Sequence, residues 1–363
     1  MKILVISIAG IGDTLLATPL IRSLREQRPN ATIDVLVRWP GARDLLQGNP
    51  HVNQVHQKEF VGAGVLQSLR FLSTVGKAGY DVSINTYPLG KREYRFVARW
   101  IGAPLRLSHR YENYSVMDRL LVNRMIDQDY SIHCIDNSLR LLPLMGLREP
   151  EAPIDCELFF SSEEKDWANR FVLTRNLAGR ILFAVQVGSG KTKNLMLKRW
   201  PVENYITVIQ QVIAQNPDVS VLLFGGPEEK EDNERILAKI ENPALLPVPS
   251  RTMKEAAALL KQCHGFLSVD NVFMHLAATV KVPEQIVIES PTFNKTIEPY
   301  HRPFRLVRNP MVAGRNLEYY RYDGRDIQGG TEHLIECMRS ITPDSVLDQV
   351  SQAIAAIRKK SGG

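Results

Sequence analysis

The first half of the chain alternates short apolar runs with longer amphipathic segments. Residues 3–8, 33–37 and 82–85 are apolar runs of strand length, while 14–25 and 65–72 place their apolar residues on one helical face. Pro19 lies inside the first of these helices and predicts a kink or a tight first turn. Strands separated by helices predict βαβ units and a parallel sheet.

The second half repeats this pattern after a proline-containing connection at 148–153. The charged segment 161–175 predicts its first helix, and Thr342 and Pro343 begin a last amphipathic helix whose final residues, 359–363, are expected to fray. Two similar α/β halves make the cleft between them the default ligand site. The predicted strands are 181–187, 219–224, 266–269 and 285–288, and the predicted helices include 201–215 and 228–241.

Composition excludes several classes of protein. The 363 residues contain no apolar run of the roughly 18 residues that a membrane-spanning helix needs, and the apolar start is expected to be a strand rather than a signal peptide. Four scattered cysteines without a C-x-x-C pair argue against a zinc site and a disulfide framework and favour a reducing cytoplasm. These cysteines are Cys134, Cys156, Cys263 and Cys337.

The net charge of +6 is partly concentrated between residues 91 and 110. Arg92, Arg95 and Arg99 recur at helical spacing, which predicts one basic face with Phe96, Val97, Trp100 and Ile101 pointing inward. This face is either simply solvated or a patch for an anionic partner, such as a phosphorylated acceptor or an anionic membrane surface. No nucleic-acid-binding module accompanies the charge, so nucleic acid is not an expected partner.

A carboxylate follows the first predicted strand. The turn Gly10-Ile11-Gly12-Asp13-Thr14 leads from that strand into a helix. Ligands of open α/β sheets bind outside the carboxyl ends of the strands, so Asp13 is expected at the mouth of such a crevice as a base or ligand contact. The simpler interpretation of Asp13 is a helix N-cap.

A glycine turn also follows the first strand of the second half. Gly188-Ser189-Gly190-Lys191-Thr192 suggests a P-loop, but the first glycine of that motif would fall at Val185, and no helix is expected directly after Thr192. We therefore do not predict a P-loop nucleotide hydrolase. The backbone N–H groups of Gly188, Ser189 and Gly190 can still approach an anion.

Two further segments carry candidate chemistry. Lys198 precedes Trp200-Pro201 at a predicted helix start, where it is either a phosphate contact or a surface lysine beside a buried tryptophan. Asp270 and Asn271 follow a predicted strand and begin a helix, where they can cap it and where its N–H groups can receive a phosphate. His275 lies one turn further on and is either catalytic or a structural hydrogen-bonding residue.

Taken together, from Lys2 to about residue 347, the chain resembles glycosyltransferase family 9, the ADP-heptose:lipopolysaccharide heptosyltransferases and their relatives. The similar segments are Gly10-Ile11-Gly12-Asp13 with 16–20, His133 with Asn137 and Gly146, Lys198-Arg199-Trp200-Pro201, Gly225-Gly226-Pro227-Glu228, Asp270 with 274–277, and Pro291-Thr292.

The resemblance implies an α/β, GT-B fold with two Rossmann-like domains whose parallel sheets face each other across a cleft. It implies an acceptor-binding domain at 1–155, a nucleotide-sugar-binding domain at 156–341, and a C-terminal helix and tail at 342–363. Asp13 would be the catalytic base of an inverting sugar transfer that needs no metal and no cofactor. The implied donor-binding residues are Gly188, Ser189, Gly190, Lys198, Glu228, Asp270, Asn271 and His275, and the acceptor-binding candidates are Gly12, Thr14, Arg92 and Arg95.

The implied partners are ADP-heptose as donor and a lipopolysaccharide core or related lipid-linked glycan as acceptor. Because such an acceptor is lipid-linked, the enzyme is expected in the cytoplasm, peripherally bound to the inner membrane through the basic residues of 91–110. Asn271-Val272 stands where the family usually has Ser or Thr followed by Gly. This difference leaves open a different nucleotide-sugar donor, and a non-catalytic nucleotide- or glycan-binding protein is the alternative from another class.

Overall fold

The computed structural model describes residues 1–190, 194–321 and 326–361. The described chain forms two compact units, Met1–Phe159 and Phe160–Arg321 with the C-terminal helices. No helix within these residues is long and apolar enough to span a membrane. The glycines Gly362 and Gly363, which were expected to fray, lie outside the described residues.

Unit 1 is built around a parallel sheet with the strand order β3-β2-β1-β4-β5-β6. The strands are β1 Lys2–Ser7, β2 Thr32–Val37, β3 Gln54–Gln57, β4 Val82–Asn85, β5 Leu105–Arg110 and β6 Arg124–Asp127. The helices are α1 Ile11–Leu16, α2 Thr18–Gln27, α3 Pro40–Leu46, α4 Val65–Gly76, α5 Arg92–Ile101, α6 Asp118–Leu121 and α7 Cys134–Leu139, followed by a 3₁₀ turn at Leu142–Met145.

Unit 2 repeats this arrangement with the strand order β12-β11-β10-β7-β8-β9. Its strands are β7 Ile181–Gln186, β8 Val219–Phe224, β9 Leu245–Pro247, β10 Gly265–Val269, β11 Glu284–Ile288 and β12 Arg305–Val307. Its helices are α8 Ser162–Thr174, α9 Val202–Gln215, α10 Lys230–Lys239, α11 Met253–Leu260, α12 Val272–Thr279, α13 Asn316–Tyr319, α14 Thr331–Arg339 and α15 Pro343–Ser361, with a 3₁₀ turn at Leu195–Lys198.

Local sequence signals account for several helix boundaries. Pro19 is the second residue of α2. The helical segment is interrupted at Ala17, between α1 and α2, as the proline predicts. Ser161 caps α8 in a reciprocal capping box with Glu164. The expectation that the last helix frays from residue 359 is wrong for the described part, because α15 continues to Ser361 and Lys360 Nζ lies 2.9 Å from Glu284 Oε1.

Each sheet reverses its strand order at one place. β1 pairs with β2 on one side and β4 on the other, and β7 pairs with β8 and β10 in the same way. Such a topological switch point opens a crevice outside the carboxyl ends of the two central strands, where α/β proteins bind ligands. The residues that follow β1, β7 and β10 are therefore the first candidates for a functional site.

Candidate active site

Asp13 lies beside the switch point of unit 1. The N-cap of α1 is Gly10, and Asp13 is the third residue of the helix, so the interpretation of Asp13 as an N-cap is wrong. An added Cβ at Gly10 would lie 2.8 Å from Asp13 Oδ2, which shows that the carboxylate folds back over the turn. The helix dipole stabilises the negative charge of a carboxylate in the first helical turn, where Asp13 lies.

The neighbouring turn residues position Asp13. Thr14 is buried, and its hydroxyl donates towards the carbonyl oxygens of Ser7 and Gly10 at 3.3 and 3.2 Å. The Thr14 side chain therefore holds the turn and is not exposed for an acceptor, contrary to the expectation from sequence. Gly12 is half-buried beside it.

The charge of Asp13 acts on a buried thiol. Burial, and next the carboxylate of Asp13, hold the pKa of Cys134 well above its usual range. Cys134 is therefore a protonated, unreactive thiol at neutral pH.

The basic stretch is arranged differently from the sequence prediction. Arg95 is fully buried and forms an ion pair with Asp118, with 3.3 Å between Nε and Oδ1, while Phe96 and Trp100 are exposed. The predicted inward and outward faces are correct for Val97, Ile101, Arg92 and Arg99 but wrong for these three residues. The reason is the buried carboxylate of Asp118, which draws Arg95 to the inner side of α5. Arg95 is thus not part of an exposed patch.

The switch point of unit 2 carries a buried ion pair. Lys198, which is only 6% exposed, ends the 3₁₀ turn, and its Nζ lies 2.9 Å from Asp270 Oδ2 directly after β10. The interpretation of Lys198 as a surface lysine is therefore wrong. Trp200 fixes this segment, because it is buried and its Nε1 donates to the carbonyl of Ile341 at 2.9 Å.

Two hydroxyls from the next strand complete the surroundings of Asp270. Ser290 and Thr292 follow β11, and both hydroxyls donate to the Asp270 carboxylate, with 2.5 Å for Thr292 Oγ1 to Oδ2. Thr292 Oγ1 also lies 3.4 Å from Lys198 Nζ. Three loops at the same edge of the sheet thus form one polar network. Its ammonium group is a compact point charge held in a fixed position by Asp270 and Thr292.

Asn271 connects the start of α12 to the loop after β7. Its Oδ1 accepts hydrogen bonds from the N–H groups of Phe273 and Met274, and its Nδ2 donates to Gln186 Oε1 and the Gly188 carbonyl at 2.6 and 2.9 Å. The predicted N-cap is therefore confirmed. Because the cap occupies two of the first N–H groups of α12, a phosphate would compete with the Asn271 side chain for them.

The glycine loop after β7 is closely packed. Ser189 is buried and its hydroxyl donates to the Leu195 carbonyl at 2.7 Å. A Cβ at Gly188 would lie 2.0 Å from Glu229 Oε1, whereas one at Gly190 would lie at an ordinary 3.4 Å from Leu195. Lys191 and Thr192, the remaining residues of the apparent P-loop, lie outside the described residues. The next α-helix, α9, begins only at Val202.

The acid beside this loop is Glu229. Glu228 is exposed, whereas Glu229 is buried and accepts a hydrogen bond from the Gly226 N–H at 2.9 Å. Burial raises the pKa of Glu229, while Arg199 at 3.4 Å opposes this shift. The donor-binding role that the resemblance implies for Glu228 stays a prediction, and Glu229 is the acid that packs against this loop.

His275 lies half-buried in α12, and burial lowers its pKa to about 4; the carboxylate of Asp270 opposes this shift, and the ammonium of Lys198 adds to it. It is therefore neutral at pH 7.

Sequence reasoning missed several members of this network. Ser290, Gln186, Arg199 and Glu229 were not predicted, although Pro291-Thr292 had been noted after the last strand. The available signal was position, because Gln186 and Ser290 stand at or just after the carboxyl ends of β7 and β11.

Comparison with known proteins agrees with this architecture. The family model of glycosyltransferase family 9 (heptosyltransferase) matches residues 69–320. The crystal structure of ADP-heptose LPS heptosyltransferase II from E. coli superposes with a TM-score of 0.72 at 22% identity, covering 99% of this chain and all of that chain. A family 9 glycosyltransferase from Veillonella parvula superposes with a TM-score of 0.74 at 18% identity, covering 98% and 97%. These structures confirm the predicted GT-B fold class.

Curated relatives give the same result. Lipopolysaccharide heptosyltransferase 2 of Escherichia coli is 25% identical over 97% of this chain and 98% of its own length. Lipopolysaccharide heptosyltransferase 3 of the same organism is 23% identical over 75% and 78%. The protein is thus a glycosyltransferase built of two compact α/β units. It belongs to glycosyltransferase family 9, which confirms the resemblance drawn from sequence.

Proposed function

We propose that the protein transfers heptose from ADP-heptose to a lipopolysaccharide core or a related lipid-linked glycan at the inner membrane. The printed names of its relatives, lipopolysaccharide heptosyltransferases 2 and 3, support this donor and acceptor class. The observation that carries the proposal is that each unit presents a charged side chain at its own switch point. One presents a carboxylate, Asp13, and the other a buried ammonium group, Lys198.

Asp13 is the proposed general base. A sugar hydroxyl is a poor nucleophile, so a positioned carboxylate accepts its proton while the new glycosidic bond forms, which is typically worth about 10²–10⁴-fold in rate. The attack breaks the bond between the anomeric carbon and the diphosphate and inverts the configuration at that carbon. The anomeric carbon is oxocarbenium-like in the transition state.

Unit 2 is proposed to stabilise the leaving diphosphate. Negative charge develops on the diphosphate as the bond breaks, and preorganised donors in a dry site stabilise such charge strongly. Lys198 supplies a buried positive charge, and the loop 188–190 lies beside it. With this cation in place we propose that the reaction needs no divalent metal.

Glu229, rather than Glu228, is proposed to contact the nucleoside. Its carboxylate lies against Gly188, while Glu228 is exposed. A carboxylate is the group that commonly binds ribose hydroxyls in Rossmann-like sites.

A donor panel tests the proposal. The purified protein is incubated with heptose-deficient lipopolysaccharide and with ADP-, UDP- or GDP-linked sugars, with and without EDTA, and the product is followed by mass spectrometry and its anomeric configuration by NMR. We expect transfer from ADP-heptose that EDTA leaves unchanged. Turnover with another nucleotide sugar alone would favour the second candidate, a different donor, which the Asn271-Val272 departure suggests.

A further inference from the structure

Exposed apolar side chains gather where α5 and α6 meet in unit 1. Met117 and Leu120 are 68% and 66% exposed, and Phe96 and Trp100 are 42% and 41% exposed. Exposed apolar residues are common singly, but a cluster beside a groove marks an interaction surface. We call these four residues the apolar strip.

The strip has a defined shape. A groove of about 490 Å³ opens between α5 and α6, and Phe96, Met117 and Leu120 line it. The rings of Phe96 and Trp100 are 5.7 Å apart, and the indole Nε1 of Trp100 donates to the Leu69 carbonyl and the Ser73 hydroxyl of α4 at 3.1 and 3.0 Å. The strip is therefore held in place between three helices rather than carried by a loose loop.

Exposed arginines lie on the two helices that carry the strip, and both Arg92 and Glu93 line its groove. Arg92, Arg99 and Arg119 are exposed on the same two helices. α5 and α6 together contain four arginines and two acids, Glu93 and Asp118, which is an excess of two positive charges. Asp118 is buried against Arg95 and presents no charge to solvent.

We propose that the apolar strip and its flanking arginines dock on an anionic lipid bilayer, with Phe96, Met117 and Leu120 entering the boundary between headgroups and acyl chains. Peripheral binding of this kind needs apolar area and cationic side chains together, which is the combination present here. A second copy of the chain fits poorly, because a two-fold interface would bring the same arginines face to face. The inference rests on the proposed function only in that a lipid-linked acceptor is met at a membrane.

Vesicle co-sedimentation of the purified full-length protein tests the docking surface. We expect binding to vesicles that contain phosphatidylglycerol and much weaker binding to pure phosphatidylcholine. F96S/M117S/L120S should lose at least roughly tenfold in partitioning through lost apolar burial. R99Q/R119Q should lose roughly fivefold for each arginine on anionic vesicles only.

Matched controls come from α8 of unit 2, where Leu173 and Arg170 are also exposed. L173S and R170Q should bind vesicles like the unchanged protein. Equal binding to neutral and anionic vesicles, full binding by F96S/M117S/L120S, or a dimer in light scattering that this variant abolishes would overturn the inference. Turnover of a soluble acceptor analogue is measured in parallel. Turnover without vesicle binding defeats the docking surface alone, and vesicle binding without turnover defeats the proposed function alone.

Discussion

The two units share one strand order but place different charged side chains at the point where that order reverses. In unit 1 the position after β1 carries a half-buried carboxylate at the start of a helix, Asp13. In unit 2 the positions after β10 and β11 surround the buried Lys198 with Asp270, Ser290 and Thr292. The comparison teaches that the backbone decides where a ligand meets the sheet. The side chains in the loops decide which charge it meets there.

The largest expected effect tests the unit 1 side of this comparison. D13N keeps the size of the side chain but removes its basicity, so we expect kcat/KM for sugar transfer to fall about 10²–10⁴-fold. ADP affinity, measured by calorimetry, should stay unchanged because the proposed donor site lies in unit 2. D166N, on the exposed surface of α8, serves as the control. Unchanged product formation by D13N would remove Asp13 from the mechanism.

In unit 2, replacing Lys198 is expected to lower both the free energy of unfolding and the affinity for ADP. K198M leaves the buried carboxylate of Asp270 without its cation, which costs about 3–5 kcal/mol in urea unfolding. K198M/D270L should recover much of this stability because no unpaired charge remains, while ADP binding stays lost.

The matched control for this pair is K230M, since Lys230 and Glu234 form an exposed pair at 3.8 Å. Its cost should stay below about 1 kcal/mol. Retention of ADP binding by K198M/D270L would contradict the role of Lys198 in holding the diphosphate.

A smaller effect tests how the loop 188–190 of unit 2 is packed. G188A places a methyl group 2.0 Å from Glu229 Oε1, so the carboxylate has to move, at a cost of about 1–3 kcal/mol and with weaker ADP binding. G190A meets only Leu195 at 3.4 Å and should be nearly neutral in both measurements. Similar results for the two alanine variants would show that the packing of Glu229 on Gly188 is unimportant.

An effect that is absent at neutral pH and appears only below pH 6.5 compares one histidine from each unit. Burial lowers the pKa of both His109 and His275 to about 4 from the usual 6.5. The unfolded chain binds these protons first as the pH falls, so stability is full above pH 6.5 and declines towards pH 4. Each histidine contributes up to about 1.4 kcal/mol per pH unit. H109N and H275N should each flatten the slope of unfolding free energy against pH, and slopes equal to that of the unchanged protein would contradict these pKa values.

Positions at strand ends could be predicted from the sequence, because a buried run followed by a polar residue is a local pattern. Asp13 and Asp270 were found in this way. Their partners were harder to predict. Ser290 meets Asp270 only because β10 and β11 pair in parallel register, a contact between residues twenty positions apart.

An error arose where a helix turn decides which side chain points inward. In α5, helical spacing alone put Arg95 outside and Phe96 inside. The opposite holds because Asp118, 23 residues further on, is buried next to Arg95.

The hydrogen bond from Trp200 to the Ile341 carbonyl has a practical consequence for truncating or tagging this protein. The segment that carries Lys198 is anchored to the chain just before α15, and Val346, Val350 and Ile354 of that helix pack into the core of unit 2. Removing the last twenty or so residues to improve expression would therefore expose this core and loosen the tryptophan's support. A purification tag is better placed beyond Ser361 than exchanged for any part of α15.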